Sequence, residues 1–333
     1  MAEKIAIDFD GLFTNIFKLG SGMVLSEPTV AAVGLSDTDD VKAVGIEAKK
    51  LIGKTAEDTK IVFPVFEGEI VNEKVAEKLL KVFLTKIGVA GKFTGVEAVM
   101  SVACGTTAEM LCKFEKVAKN AGISKVWFIE APLLSALGQR LPLSDSAPCF
   151  VIDMAGGTTN IAALSLDGVI AGISVNFGAN KISIDIIDYV AEAYGLQIGL
   201  LTAERLKKEI GSLAQDDGLS TVINGRDIKT GKPRSVSIRA MDIIEPVRNY
   251  YDKIAELATS VLVKLPPEVS AEIRHAGVYV SGVSSSVYDL EKYYRKKLGM
   301  KVSVAENGLM SVALGGGITV ANPNLIKKLA LKR

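Results

Sequence analysis

Apolar positions along this chain fall into two interleaved rhythms. Short apolar runs of strand length alternate with longer stretches of 3.6-residue period, which predicts an α/β protein. Residues 4–8 alternate into a strand, and 23–33 give further short strands, with Pro28 suited to a sheet edge. Residues 44–53 read as a short helix closed by glycine, and 61–66 and 68–71 as extended pieces. Val75, Leu79, Leu80, Phe83, Leu84 and Ile87 form the core-facing stripe of a helix. Residues 98–103 make a core strand that delivers Cys104-Gly-Thr-Thr107 to a helix running from about 108 to 122. Thr106 and Glu109 have capping-box spacing at its start. A strand at 125–130 and a helix at 131–139 follow.

The second half opens on Phe150-Val-Ile-Asp-Met-Ala-Gly-Gly-Thr-Thr-Asn-Ile161, an apolar strand ending in aspartate, a glycine-rich turn and a second strand. Beyond it come a hairpin through Asp167-Gly168, a helix at 181–194 and a helix at 202–211. A polar hairpin at 220–238 turns at Asn224-Gly225 or at Thr230-Gly-Lys232, and a long helix at 240–263 is expected to bend at Pro246. A strand at 277–281 then carries Gly282-Val-Ser-Ser-Ser286, a third candidate ligand loop, before a last helix–strand–helix.

The Phe150 stretch matters because it occurs twice. Ile7-Asp-Phe-Asp-Gly-Leu-Phe-Thr-Asn-Ile16 lies over Ile152-Asp-Met-Ala-Gly-Gly-Thr-Thr-Asn-Ile161 without a gap, pairing Asp8 with Asp153 and Gly11 with Gly156. Successive glycines let backbone N–H groups converge on an anion, and a strand-end aspartate can hold a hydrated divalent cation opposite the same phosphates. Two such units in one chain imply a duplicated domain with a phosphate gripped between the halves; a purely structural repeat is the alternative.

Composition narrows the classes. The chain has 333 residues, enough for two domains with real cores, and its net charge of +1 argues against nucleic acid as a bulk electrostatic partner. Cys104, Cys112 and Cys149 lack metal-ligand spacing and read as reduced core thiols of a cytosolic protein. The single histidine, His275, excludes a histidine-based triad or zinc site. No signal peptide opens the chain, and no uncharged run is long enough to span a bilayer. No linker or change of composition divides the sequence, so its domains are expected to be intertwined.

Duplicated strand–Asp–Gly–Thr loops with a late glycine/serine loop are the plan of the actin, sugar-kinase and heat-shock ATPase superfamily. Within it the chain resembles the bacterial actins of the MreB family nearly end to end. The segments that carry the resemblance are Val24-Leu-Ser-Glu-Pro-Thr29, Ile129-Glu-Ala-Pro-Leu-Leu-Ser-Ala-Leu-Gly138, Ile152-Asp-Met-Ala-Gly-Gly-Thr-Thr159, Thr202-Ala-Glu-Arg-Leu-Lys-Lys-Glu-Ile-Gly211 and Val312-Ala-Leu-Gly315. The resemblance implies an actin-like α/β fold of two lobes around a nucleotide cleft. Its large subdomains would be 1–31 with 75–145 and 310–333, and 146–179 with 241–309; its small ones would be 32–74 and 180–240. It further implies binding of ATP or GTP with Mg²⁺, the metal held through water by Asp8 and Asp153. Gly11, Leu12, Phe13, Gly156, Gly157, Thr158, Glu204, Lys207, Gly282, Val283, Ser284 and Ser285 then fall at nucleotide-binding positions. Self-polymerisation into cytoplasmic protofilaments, at the inner face of the membrane with morphogenesis proteins as partners, completes what the family implies, together with a role in cell shape.

The departures bear on chemistry. Asp10 stands where the family's first loop has a glycine, and a carboxylate about 4 Å from a phosphate is repelled by several kcal/mol at intermediate dielectric unless a cation intervenes. Weakened triphosphate affinity or unusual Mg²⁺ dependence follows if Asp10 faces the cleft, and neither if it points to solvent. Ala155 replaces a glycine in the second loop, and Val283 and Ser284 replace two in the third. The family's water-orienting glutamate falls at Met110, whose thioether cannot hold an attacking water. Neighbouring Glu109 could substitute only if the helix starts one residue out of register, since one residue turns a side chain by roughly 100°. The expectation is weak or absent hydrolysis, with a scaffold or regulator lacking productive turnover as the alternative.

Two features leave a structural and a functional reading open. Val89 and Phe93, in the loop 88–95, either tuck into the body or touch a membrane, and the basic tail 325–333 is either a fraying helix end or a weak membrane contact. Lys207 and Lys208 suit a solvated helix C-terminus, with the family match favouring a binding role for Lys207. A sugar kinase would need an acidic base beside an acceptor pocket, and a chaperone a further peptide-binding domain; neither is legible.

Overall fold

The computed structural model describes residues 2–37, 39–91, 95–214 and 218–332. Two five-stranded sheets share one plan. The first runs Lys125–Glu130, Val96–Val102, Glu3–Phe9, Phe13–Lys18, Gly22–Pro28. The second runs Val302–Val304, Val278–Ser281, Cys149–Met154, Thr159–Ser165, Gly168–Val175. In each, the repeat supplies the central strand and an antiparallel hairpin partner, while two parallel strands extend the other side. The register repeats as well: Asp8 lies opposite Asn15, and Asp153 opposite Asn160.

Parallel neighbours require crossovers, and the amphipathic helices meet that need. Glu73–Lys86 buries Val75, Leu79, Leu80, Phe83 and Leu84, and with Ala108–Ala121 it closes the first core. Ala179–Tyr194 and Ile244–Val263 close the second, around Tyr250, Tyr251 and Tyr294. A third core lies where helices Ala131–Gly138 and Ser311–Ala321 cross between the lobes, with Leu134, Ala136 and Val312 buried. Each lobe carries a small sheet: Val41–Val44 with Ala31–Gly34 and Thr59–Val62, and Leu196–Gln197 with Ser220–Asp227 and Pro233–Arg239.

Several expectations are corrected. Val41–Val44 is a strand, which shortens the helix expected at 44–53 to Ile46–Lys50. Of the two turns open to the polar hairpin, the one through Thr230-Gly-Lys232 forms, leaving Asn224 and Gly225 inside a strand. The long helix begins at Ile244, so Pro246 sits in its first turn, where it removes no helical hydrogen bond and no bend is needed. Cys112 is exposed rather than in the core. The capping box between Thr106 and Glu109 does not form. Thr106 Oγ1 donates to the Ala103 carbonyl at 2.6 Å, and Thr107 is the N-cap, its hydroxyl accepting from the Met110 N–H at 3.3 Å.

Val89 is buried, while Phe93 lies outside the described residues. In the tail, Ile326 and Leu329 pack into the interlobe core and Leu331 N–H bonds the Phe128 carbonyl, so its apolar side is spent inside. Among the described residues no single helix is long and apolar enough to cross a membrane.

Candidate functional site

The two repeat aspartates meet at one small cavity of about 20 Å³. Asp8, Asp10, Phe13, Asn15, Asp153, Gly156, Gly282, Val283 and Leu309 line it. Each aspartate is held by the same devices. Ser101, next to Ile7's parallel partner Met100, donates to Asp8 Oδ1 at 2.7 Å, and Asn15 donates to Oδ2 at 3.4 Å. Ser281, the parallel partner of Asp153, donates to its Oδ1 at 2.8 Å. Burial pushes the Asp8 carboxyl up to about 7, with the charges of Asp10 and Asp153 adding to it. Burial likewise lifts Asp153, which is 1% exposed, to about 6. Carboxylates this reluctant to ionise suit a cation placed between them.

Asp10 does not point to solvent. Its carboxylate reaches across to the opposite lobe, where Gly156 N–H donates to Oδ2 at 2.7 Å and Gly157 N–H to Oδ1 at 3.4 Å. From its own loop Leu12 N–H adds a third donor at 3.3 Å. Burial raises the Asp10 carboxyl above the usual range and these amides draw it back.

The glycine loop 156–158 is tightly enclosed. A Cβ on Gly156 would stand 2.1 Å from Leu12 Cβ, and one on Gly157 would stand 3.0 Å from the Glu67 amide. Thr158 packs against Gly68 from the first lobe, since a Cβ there would come within 2.7 Å of its methyl. A Cβ on Gly11 would stand 3.2 Å from the Val65 carbonyl oxygen.

The remaining candidates divide. In the third loop, Val283–Ser286 forms a 3₁₀ turn after Gly282, whose φ of +91° a side chain would strain. Ser285 Oγ closes that turn on the Gly282 carbonyl at 2.8 Å, and Ser284 Oγ is buried with no hydrogen-bond partner. Glu204 forms an ion pair at 2.6 Å with Lys49, across the mouth of the cleft. Lys49 also sits 5.9 Å from the centre of the Phe13 ring. Lys207 turns into its own lobe, donating to the Ala179 carbonyl at 3.0 Å and Ser183 Oγ at 3.1 Å; burial lowers its pKa to about 8. Glu109 is not brought to the cleft: its side chain is 81% exposed and paired with Lys113 at 3.3 Å. Met110 is buried in the first core beside Phe114.

Sequence reasoning missed Ser101, Ser281, Asn15 and Lys49. Asn15 and Asn160 did carry a signal, since both recur in the repeat, and Asn160 Oδ1 accepts from the Cys104 N–H across the lobes at 3.0 Å. A wider concavity, about 450 Å³, lies outside the cleft, against Ser285 and the charged helix Leu290–Leu298.

The model of the MreB/Mbl protein family matches residues 2–328. The chain belongs to the MreB/Mbl family. It is 32% identical over 322 residues to the cell shape-determining protein MreB of Escherichia coli strain K12, covering 95% of this chain and 92% of that one. Identity to Mbl of Bacillus subtilis strain 168 is 30% over 328 residues, covering 98% of each chain. Among solved structures, MreB 5 of Spiroplasma citri bound to AMPPNP superposes with a TM-score of 0.92 at 28% identity over 98% of both chains. A MamK double helical filament matches at TM-score 0.81 and 17% identity, covering 97% of this chain and 99% of that chain, a likeness of fold. The two matching sheets are therefore the lobes of an actin-like fold.

Proposed function

We propose that this chain is a nucleotide-dependent, filament-forming bacterial actin acting in cell shape, with weak or absent hydrolysis. The observation that carries the reading is the convergence of two register-matched Asp hairpins on one cavity, in a chain that matches the MreB/Mbl family nearly end to end. The S. citri relative is solved with AMPPNP and with ADP.

The donor set fits phosphates: the Gly156 and Gly157 amides already hold the two oxygens of the Asp10 carboxylate, one each. The space does not fit. A cavity of about 20 Å³ holds one water, whereas pockets for small ligands run to roughly 300–1,000 Å³. Nucleotide entry therefore requires the lobes to part. In the opened cleft, Gly156, Gly157 and Thr158 would hold phosphate, Asp8 and Asp153 would hold Mg²⁺ through water, and Gly282, Val283, Ser284 and Ser285 would border the base. Mg²⁺ keeps most of its waters and needs only one or two carboxylates beside phosphate, which two aspartates supply. Glu204 and Lys207 would reach the nucleotide by releasing Lys49 and Ser183. On this reading the small subdomains, 32–74 and 180–240, flank the cleft mouth. The same reading runs the filament along the inner face of the membrane, with morphogenesis proteins as partners.

Weak hydrolysis rests on Met110. Its thioether replaces a water-orienting carboxylate, and the nearest acid in sequence, Glu109, faces solvent. Purified protein with Mg²⁺-ATP, or Mg²⁺-GTP, is expected to form filaments by electron microscopy while releasing phosphate no faster than a protein-free blank. Filaments should co-sediment with vesicles of anionic lipid. Brisk phosphate release removes the hydrolysis claim, soluble filaments beside vesicles remove the membrane claim, and no filaments with either nucleotide removes the main reading.

A further inference from the structure

We propose that Asp10 is a built-in phosphate surrogate: its carboxylate, carried on the first lobe, occupies the backbone amides of the second lobe's glycine loop and holds the cleft closed, so that nucleotide enters by displacing it. This deepens the nucleotide reading above and rests on it.

The geometry is that of an anion in an amide nest. Gly156 N–H at 2.7 Å and Gly157 N–H at 3.4 Å are successive donors on a glycine turn, the arrangement that receives a phosphate oxygen. A carboxylate presents the same charged acceptors, and hydrogen bonds to an ionised acceptor are about twice as strong as neutral ones. Leu12 N–H at 3.3 Å fixes the carboxylate from its own side, so the group is aimed rather than trailing. The loops touch closely enough that a Cβ on Gly156 would fall 2.5 Å from Asp10 Oδ2. Nothing as large as a phosphate shares that space.

Two further contacts close the same gap from other heights. Asn160 accepts from Cys104 N–H at 3.0 Å beside the floor, and Glu204 meets Lys49 at 2.6 Å at the mouth. Asp10 differs from both in competing for the very donors a polyphosphate needs. Two anions cannot occupy one amide pair, so the apparent nucleotide affinity falls by the fraction of molecules in which Asp10 has let go. A plain structural staple would have the same hydrogen bonds but would not compete. It would lose stability on substitution and gain no affinity.

The test compares wild type, Asp10→Gly and the near-isosteric Asp10→Asn, which keeps the fold if the glycine variant does not. Mg²⁺-ATP binding is measured by calorimetry, and hydrogen exchange at the Gly156 and Gly157 amides is followed in nucleotide-free protein. Asp10→Gly is expected to bind at least about tenfold tighter, with faster exchange at both amides and Asp10→Asn in between. Unchanged or weaker binding by both variants while wild type binds, or unchanged exchange, overturns the proposal. Faster exchange with no binding by any of the three proteins leaves the clamp standing and overturns the nucleotide reading instead.

Discussion

Gly315→Ala is expected to destabilise the protein by about 3 kcal/mol or more, although alanine is the better helix former by about 1 kcal/mol. Gly315 lies inside the helix Ser311–Ala321, where it crosses Ala131–Gly138 between the lobes. A Cβ there would stand 1.8 Å from the Leu134 carbonyl oxygen and 2.9 Å from the Gly138 amide. The reverse contact is as tight: a Cβ on Gly138 would stand 1.9 Å from the Ser311 carbonyl oxygen. Both neighbours are backbone, so no side chain can swing aside and the helices must separate. Separation is opposed on the far side, where Gly316 rests on Ala6 and Gly317 on the Phe17 ring. The clash therefore outweighs the propensity gain. Urea unfolding of wild type and variant measures the difference; a variant as stable as wild type would show that the crossing is looser than described.

On the proposed reading, raising hydrolysis at low nucleotide concentration is expected to need two substitutions. Met110→Glu supplies the carboxylate at the water-orienting position, and a positioned acid or base contributes roughly 10²–10⁴-fold. Well below nucleotide saturation it gains less than this alone, because Asp10 still holds the amides that would receive phosphate. Asp10→Gly alone also gains little, because Met110 holds no water. At such concentrations the double variant is expected to release phosphate about a hundredfold faster than Asp10→Gly and about tenfold faster than Met110→Glu. The cost is stability, since Met110 is 8% exposed in an apolar core and a carboxylate there loses solvation. A double variant no faster than Met110→Glu in a phosphate-release assay below saturation would contradict this expectation.

The duplicated motif made Asp8 and Asp153 legible, because spacing along one strand and one turn survives in a linear sequence. The apolar stripe of Glu73–Lys86 was legible for the same reason, its periodicity being local. Ser101 and Ser281 were not, since they reach the aspartates from parallel strands 93 and 128 residues away. Asp10 was visible as an anomaly but read only against a bound phosphate or open solvent. Its actual partners belong to the other lobe, and only folding sets that distance. The helix start was read correctly at Ala108, but the cap moved from Thr106 to Thr107 because both are capable caps, and the strand-end turn at Gly105, with φ of +75°, decides between them. Lys49 carried no signal at all, as its pairing with Glu204 exists only when the small sheets face each other.

The central claim is that hairpins from two related lobes share one polyphosphate site. A crystal structure with Mg²⁺ and a non-hydrolysable ATP analogue tests it most directly. The account predicts the phosphates on the Gly156 and Gly157 amides, the metal between Asp8 and Asp153, and the Asp10 carboxylate moved off those amides. Nucleotide bound elsewhere, with Asp10 still seated on Gly156, would contradict it.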